Sequence, residues 1–293
     1  MNMKKLTHII ACFLSLGAAV SCSMFELDSF EGPNAQVSGR FLDSKTGEQM
    51  GIESSVYSYW DWGSWSMKTE SAGALVVIEQ GWKDKDGNDV SEDQNWLVRF
   101  DGKYRNNLVF AAEYKVDTRN LPCYPPTNDS FTLKKGENTV DFTVTPYCRI
   151  VNENITYNAA AKKIVATFQV ELGDGTKANS IDNVAFCANT QVFVGCKFFN
   201  LAKDDPGAKR AGGFDWATWS SKPACQPGET VTLEINLEEP KNAELFKYDQ
   251  DRDVRIAAQA GGNNYNSQAY YNFSKIYRIS ADYKTIEPVV WED

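Results

Sequence analysis

Residues 36–48, Gln-Val-Ser-Gly-Arg-Phe-Leu-Asp-Ser-Lys-Thr-Gly-Glu, decide the fold class of this chain. Val37 and Phe41 are an even number of positions apart, so in a strand, where side chains alternate between the two faces, both lie on the same face. This is the pattern of a strand with one buried face. The run ends in Lys45-Thr46-Gly47-Glu48, where Gly47 can adopt a positive φ at little cost. A strand that closes in a tight turn predicts the first element of a β-sheet domain.

Strand-like runs continue on both sides of a boundary predicted near Pro146-Tyr147, and Pro240–Tyr248 is the one short helix predicted. Short strands separated by turn residues predict an all-β fold of two β-sandwiches. In the first half the predicted strands are Ala74–Glu79, Asn95–Phe100, Glu113–Asp117 and Thr139–Thr145. In the second half they are Arg149–Tyr157, Lys163–Leu172, Val184–Phe199, Thr230–Leu237, Asp253–Ala260, Gln268–Ile279 and Ile286–Trp291.

The N-terminus has the pattern of an export signal. Lys4 and Lys5 precede an apolar run, and small residues lead into Cys22. The apolar run is too short to span a bilayer as a helix. Residues 1–21 are therefore predicted to be a signal peptide. Residues 22–35 are acidic and poor in strand signals, which predicts a tether.

Composition excludes several classes of partner and site. The net charge is −9, and it becomes −11 once Lys4 and Lys5 are removed with the signal. An acidic chain is a poor ligand for a phosphate backbone, so nucleic acid is not an expected partner. The single histidine, His8, lies in the predicted signal, which excludes His-dependent catalysis and His-containing zinc sites from the exported chain.

Five cysteines follow Cys22, and none of them forms a Cys-x-x-Cys pair, so thioredoxin-like and zinc-ribbon chemistry are not supported. A bridge between Cys187 and Cys196 and a pair of small buried thiols are both compatible with the sequence. The five are Cys123, Cys148, Cys187, Cys196 and Cys225.

Residues 57–66, Tyr-Ser-Tyr-Trp-Asp-Trp-Gly-Ser-Trp-Ser, hold the densest aromatic cluster. Sugars present flat C–H faces that stack on indole rings, and the interleaved polar side chains could orient hydroxyl groups. Because side chains alternate along a strand, the rings fall on both faces and some must be exposed. A mixed core and interface strand is the alternative. The candidate glycan-binding residues here are Tyr59, Trp60, Trp62 and Trp65.

A second aromatic group lies in residues 214–219, where Trp216 and Trp219 are candidates, and Tyr265 stands in the polar segment Gly261–Tyr271. The alternative is a hairpin turn with two aromatic core residues. Two acidic runs, residues 84–89 and 249–253, could bind calcium, but turns explain them as well because the first lacks the spacing of an EF-hand. No metal site and no cofactor are predicted.

Residues 39–48, together with Asn106-Asn-Leu-Val-Phe-Ala-Ala-Glu-Tyr-Lys-Val116, resemble the carboxypeptidase-regulatory, transthyretin-like module. That module pairs an opening G-x-V-x-D-x-x-T-G-E strand with a later G-x-Y-x-V strand, and here Phe41 and Ala112 depart from it. The resemblance implies an Ig-like sandwich for residues 36–146. The small-residue run before Cys22 similarly resembles a bacterial lipobox, which implies lipidation of Cys22; an ordinary signal with an incidental cysteine stays the alternative. The acids after Cys22 resemble a Bacteroidetes surface-export signal.

The whole layout is similar to a family of Bacteroidetes lipoproteins of unknown function, which ends in a fibronectin-III-like domain, here residues 147–293. The segment Val254-Arg-Ile-Ala-Ala-Gln-Ala-Gly-Gly262 belongs to that likeness. The family is encoded beside SusC/SusD-type glycan-uptake systems. The resemblance therefore implies an outer-membrane protein, anchored by lipid and facing the cell exterior, that partners a SusC/SusD-type transporter.

These observations predict a non-catalytic carbohydrate-binding accessory of that transport system. Glycoside hydrolysis requires two correctly spaced carboxylates, and two small sandwiches offer little room for a deep cleft, so an enzyme is not expected. The alternatives are an adhesin-like structural spacer, or a subunit that docks to the transporter through the aromatic stretch.

Overall fold

The computed structural model describes residues 32–61, 64–88, 90–196, 198–202, 205–211, 213–215, 217, 220–247, 250–261 and 270–291. The predicted signal and Cys22 lie outside these residues. The fold is all-β, as the alternating runs predicted. We refer to residues 32–146 as the N-terminal half and to residues 147–291 as the C-terminal half.

Ten strands form the N-terminal half and build two four-stranded sheets and a separate hairpin. They are β1 (Ala35–Asp43), β2 (Ser55–Asp61), β3 (Ser66–Ala72), β4 (Ala74–Glu79), β5 (Asp93–Leu97), β6 (Lys103–Val109), β7 (Glu113–Asp117), β8 (Ser130–Thr132), β9 (Gly136–Thr139) and β10 (Phe142–Val144). The first sheet has the order β10-β1-β6, with β9 also paired to β1. The second has the order β5-β4-β7-β8, and β2 and β3 pair only with each other among the described residues.

Aromatic rings fill the space between the two sheets of the N-terminal half. Phe41 of β1 stacks on Phe142 of β10 with ring centroids 5.5 Å apart, and Trp96 packs 5.9 Å from Tyr114. All four side chains are buried. The buried Tyr104 hydroxyl donates a hydrogen bond to Val140 O over 2.6 Å, so its polar end is satisfied. The alternation seen in residues 36–43 thus places Phe41 in this core.

The C-terminal half has a three-stranded sheet, β11-β12-β17, and a six-stranded sheet of order β14-β13-β18-β20-β21 with β19 paired to β18. A two-stranded ribbon, β15-β16, and one short helix, α1, complete it. The strands are β11 (Cys148–Asn158), β12 (Lys163–Leu172), β13 (Ser180–Asn189), β14 (Lys209–Ala211), β15 (Gly213–Asp215), β16 (Ser220–Lys222), β17 (Thr230–Asn236), β18 (Arg252–Gly261), β19 (Asn272–Phe273), β20 (Tyr277–Ile279) and β21 (Ile286–Pro288), and α1 is Pro240–Leu245.

The central strand of the six-stranded sheet, β18, is buried on both faces. Val254 and Ile256 of β18 belong to the main core of the C-terminal half, packed with residues of β12 such as Phe168. Arg255 and Ala257, one position out of phase, face the opposite side, where Ala257 joins a small cluster with Cys187. A strand buried on both faces has no simple alternation, and the burial of β18 is nearly continuous.

Several predicted boundaries were wrong. The strand predicted over Val184–Phe199 ends at Asn189, because the chain leaves the sheet in a turn there and continues as a loop. The strand predicted over Thr139–Thr145 is two short strands, β9 and β10, which pair in parallel with successive parts of β1. The strand predicted over Gln268–Ile279 is reduced to β19 and β20, the segment 262–269 being outside the described residues.

The five cysteines after Cys22 are all free thiols. Of the two alternatives left open for Cys187 and Cys196, the structure has the unbridged thiols, with Cys187 buried and Cys196 half-buried in the small cluster that contains Ala257. Among the described residues, no helix is long and apolar enough to cross a membrane.

Candidate functional site

The hairpin of β2 and β3 carries the aromatic stretch that the sequence singled out. Asp61 pairs with Ser66, so four residues form its loop, and Tyr59 and Trp60 pair with Lys68 and Met67. Tyr59 and Trp60 therefore lie near the tip of the hairpin. Trp62, Trp216, Trp219 and Tyr265 lie outside the described residues, as does Cys22.

Trp65, at the end of the hairpin loop, is the predicted site residue that the structure places most clearly. Its side chain is 70% exposed, and Met67, two positions further, is 61% exposed. Its backbone has a φ of 51°, a left-handed conformation that is uncommon for a bulky residue. Such strain concentrates at binding sites and switch regions, so an indole held outward in this way marks a candidate contact surface.

The base of the hairpin is fixed to the body of the protein. Ser54 Oγ donates to Gly73 O over 3.2 Å, and Gly73 N donates to Asn120 O over 2.8 Å. Gly73 has a φ of 73°, and a Cβ there would lie 2.5 Å from Glu53 O. The tip can therefore project from a base in which glycine is required.

The acidic run at residues 84–88 serves a turn. Asp84 Oδ1 accepts hydrogen bonds from the backbone N–H groups of Asp86 and Asn88, at 2.9 and 2.8 Å. The hydrogen bonds from Asn88 lower the pKa of Asp84. In the part of the chain that the structure describes, no three His, Cys, Asp or Glu side chains are grouped closely enough to hold a metal ion.

A cleft with a volume of about 680 Å³ lies between the two halves. The β1–β2 connection and the start of β6 form its N-terminal wall, and β11 and residues 272–276 form its C-terminal wall. Trp291 also lines the cleft, with the Arg99 guanidinium 5.7 Å from its ring centroid. The sequence predicted little room for a cleft because each sandwich was considered alone, whereas this cleft requires both.

A buried charged residue in the lining of the cleft, Arg255, joins the two halves. Arg255 is 1% exposed, and its guanidinium donates to Ile52 O at 3.3 Å and to Phe100 O at 3.2 Å. Burial lowers the pKa of Arg255 to about 10, and the nearby Glu53 carboxylate acts in the opposite direction. The Arg255 guanidinium also stacks 4.4 Å from the ring centroid of Phe273.

An exposed group of phenylalanines, which the sequence did not indicate as a site, stands beside the cleft. Phe100 packs edge-to-face on Phe193 and Phe198, with centroid distances of 5.4 and 5.7 Å. Phe193 and Phe198 are 51% and 38% exposed. Predicting residues 184–199 as one strand concealed this loop, and only its phenylalanine content could have indicated it.

Comparisons with known proteins agree with this architecture. A protein from Bacteroides uniformis, described as a "putative carbohydrate binding protein", has 27% sequence identity and a TM-score of 0.65 over 85% of this chain and all of its own. DUF3823 family proteins from Parabacteroides merdae and Bacteroides ovatus have 19% and 18% identity, both with a TM-score of 0.56. Each match covers 85% of this chain, together with 99% of the Parabacteroides merdae protein and 100% of the Bacteroides ovatus protein. At these sequence identities the likeness concerns the fold.

The chain matches no protein-family model and no curated protein. The structural neighbours still confirm, in its coarse form, the predicted similarity to a Bacteroidetes family of unknown function. The association with a SusC/SusD-type system and the two module assignments stay predictions.

Proposed function

We propose that this protein binds carbohydrate without catalysing a reaction on it. The observation that carries the proposal is the exposed indole of Trp65 at the tip of the β2–β3 hairpin. An indole ring offers a flat apolar face to the C–H face of a sugar, and Tyr59 and Trp60 lie on the adjoining strand. The Bacteroides uniformis neighbour, whose description names carbohydrate binding, supports the same ligand class.

A non-catalytic role is part of the proposal. Glycoside hydrolysis needs one carboxyl group that donates a proton and a second that acts as nucleophile or base. In the cleft between the halves, Asp43 forms a buried ion pair with Arg149, and Glu48 forms an ion pair with Lys275 over 3.0 Å. Two of the acids that line the cleft are therefore already engaged with cations.

We further propose that the protein is held at the outer membrane by lipid on Cys22 and faces the cell exterior, as an accessory of a SusC/SusD-type uptake complex. This part rests on the sequence of residues 4–22 and on the family resemblance. Because one acyl chain binds a membrane only marginally, stable anchoring would take the several chains that a lipoprotein carries.

Affinity electrophoresis of residues 23–293 through gels cast with plant, host and microbial polysaccharides tests the binding. We expect one polysaccharide to retard the wild-type protein and Trp65→Ala to lose the retardation. Trp82→Ala is the matched control, because Trp82 is also exposed, at 46%, but lies on the connection between β4 and β5. Circular dichroism verifies that each variant is folded.

Absence of retardation across the panel would contradict carbohydrate binding. The second candidate, a subunit that docks to the transporter, would then be favoured by the exposed Phe193 and Phe198. Apolar rings at the centre of a surface patch are typical of protein interfaces. Co-purification of the tagged wild-type protein with a transporter, lost in Phe193→Ser/Phe198→Ser, would identify that function.

A further inference from the structure

The cleft between the halves has the properties of a preformed ligand pocket. Its volume of about 680 Å³ lies within the range of about 300–1,000 Å³ found for small-molecule sites. It lies where two packed units meet, which is a common place for such sites. A pocket of this size accepts a short ligand rather than a long stretch of polymer.

The cleft walls are held in place independently of any ligand. Asp43 and Arg149 form a bidentate ion pair across the halves, with distances of 2.5 and 2.6 Å. Glu48 and Lys275 form a second ion pair across them. The Arg255 guanidinium fixes the N-terminal wall through hydrogen bonds that it donates to Ile52 O and Phe100 O. A ligand would therefore pay little reorganisation cost on entry.

An irregularity of β11 supplies polar groups to one wall. The register with β12 passes from Val151 directly to Asn154, so Asn152 and Glu153 form a bulge outside the ladder. Asn152 has a φ of 55°, and Glu153 Oε1 accepts a hydrogen bond from Tyr277 Oη over 3.1 Å. Bulges often redirect side chains next to functional sites, and here both residues line the cleft.

The lining of the cleft also includes an aromatic residue, Trp291. Trp291 is half-buried against the cluster that contains Ile276, and Val289 lines the cleft beside it. The Arg99 guanidinium lies over its ring, 5.7 Å from the centroid, in a cation–π contact. An aromatic ring, an amide and a carboxylate in one cleft together suit the apolar face and the hydroxyl groups of a sugar.

The charges that line the cleft balance. Asp43 is neutralised by Arg149 and Glu48 by Lys275. The other charged residues of the lining are Glu153, Lys103, Arg255 and Asp101, which forms an ion pair with Arg99 over 3.4 Å. The lining as a whole therefore holds four acids and four cations. A wall without net charge gives no long-range attraction to an anionic or a cationic ligand, so its hydrogen-bonding groups favour an uncharged, hydroxyl-rich one.

We propose that this cleft is a second carbohydrate site, which binds a short, uncharged oligosaccharide with Trp291 as the stacking platform and Asn152 and Glu153 as hydrogen-bonding groups. The proposal rests on the proposed function and deepens it. The hairpin at Trp65 would contact polysaccharide at the surface, and the cleft would hold the shorter chain.

Isothermal titration calorimetry tests the proposal with maltotriose, cellotriose, xylotriose, mannotriose and tri-N-acetylchitotriose, and with trigalacturonate as the anionic probe. We expect one uncharged trisaccharide to bind, with an affinity at least tenfold lower in Trp291→Ala and in Glu153→Gln. Glu153→Gln keeps the size of the side chain, so it separates a loss of binding from a loss of folding. Trp82→Ala, on the exposed connection between β4 and β5, should keep the trisaccharide affinity of the wild type.

The outcomes separate the two proposals. If polysaccharide retards the wild-type protein but no trisaccharide binds, or if binding survives both cleft variants, the cleft proposal is wrong and carbohydrate binding stands. Binding of trigalacturonate alone would overturn the uncharged ligand class. If neither polysaccharide nor trisaccharide binds the wild-type protein, both proposals fail together.

Discussion

Arg149, the second residue of β11, forms a buried bidentate ion pair with Asp43, the last residue of β1. Nε and Nη2 of the arginine lie 2.5 and 2.6 Å from Oδ2 and Oδ1 of the aspartate, and the side chains are 7% and 9% exposed. Asp43 Oδ1 also accepts a hydrogen bond from Lys45 N in the following turn. The opening strand of one half is thereby tied to the opening strand of the other.

Asp43→Ala should destabilise the protein by about 3–5 kcal/mol, because it leaves the Arg149 guanidinium buried without its counter-charge. Urea unfolding followed by Trp fluorescence measures the change. Glu171→Ala is the matched control: its partner Lys45 also bridges the halves, but the two side chains are 59% and 41% exposed. An exposed pair contributes about 1 kcal/mol or less. Equal effects of the two variants would show that burial does not determine the strength of the contact.

Arg255→Met should loosen the contact between the halves. The variant removes the guanidinium donor from Ile52 O, Phe100 O and Ser274 O. Phe100 O keeps the hydrogen bond from Ile52 N, whereas a buried carbonyl left unpaired costs about 1–3 kcal/mol. Hydrogen–deuterium exchange read by mass spectrometry should show faster exchange in residues 50–54 and 98–102. Arg105→Met, on the exposed side of β6, is the control and should leave these peptides unchanged. Protection equal to the wild type in Arg255→Met would contradict this role.

Gly39 and Gly47 stand in the same opening segment and should respond differently to alanine. Gly47 has a φ of 71° with open space around it, so Gly47→Ala should cost only the left-handed strain of about 1–2 kcal/mol. A Cβ on Gly39 would lie 1.8 Å from Val140 O, the acceptor of the Tyr104 hydroxyl, and the backbone would have to move. Gly39→Ala should therefore lower the midpoint of thermal unfolding more than Gly47→Ala does. The reverse order would contradict the close approach of β1 to residue 140.

The strands and turns that depend on residues close together in the chain could be predicted from the sequence. Ala74–Glu79, Glu113–Asp117 and Lys163–Leu172 are strands with the predicted bounds, because apolar and β-branched residues favour strands locally. The positive φ of Gly47 was predicted for the same reason, since its turn is local.

Contacts between distant residues could not be predicted in this way. Asp43 and Arg149 are 106 residues apart, and nothing near either residue indicates the other. The cleft and the place of Trp291 in it depend on how the halves pack together. Trp65 was chosen as a candidate binding residue because an aromatic cluster among polar residues is visible in the sequence. The sequence did not show which of these rings is exposed.

Cys123 and Cys148 should make stability depend on alkaline pH. Burial raises the pKa of each thiol from 9.0 to about 12. Between pH 9 and 12 the unfolded chain loses these protons and the folded chain keeps them, so the free energy of unfolding falls as the pH rises. The thiols' contribution is complete below pH 9 and is lost as the pH passes 12.

Cys123→Ala/Cys148→Ala should reduce this alkaline loss of stability, although the smaller side chains lower stability by a constant amount at every pH. Urea unfolding of both proteins at pH 7, 9 and 10.5 separates the constant difference from the pH-dependent one. The buried tyrosines and Arg255 are present in the wild type and in the variant. Their contribution to the pH dependence therefore cancels in the difference between the two unfolding free energies. Parallel stability curves from pH 7 to 10.5 would mean that the thiols titrate alike in the folded and unfolded chains. Slow reaction of the native wild-type thiols with iodoacetamide at pH 9 would independently support their burial.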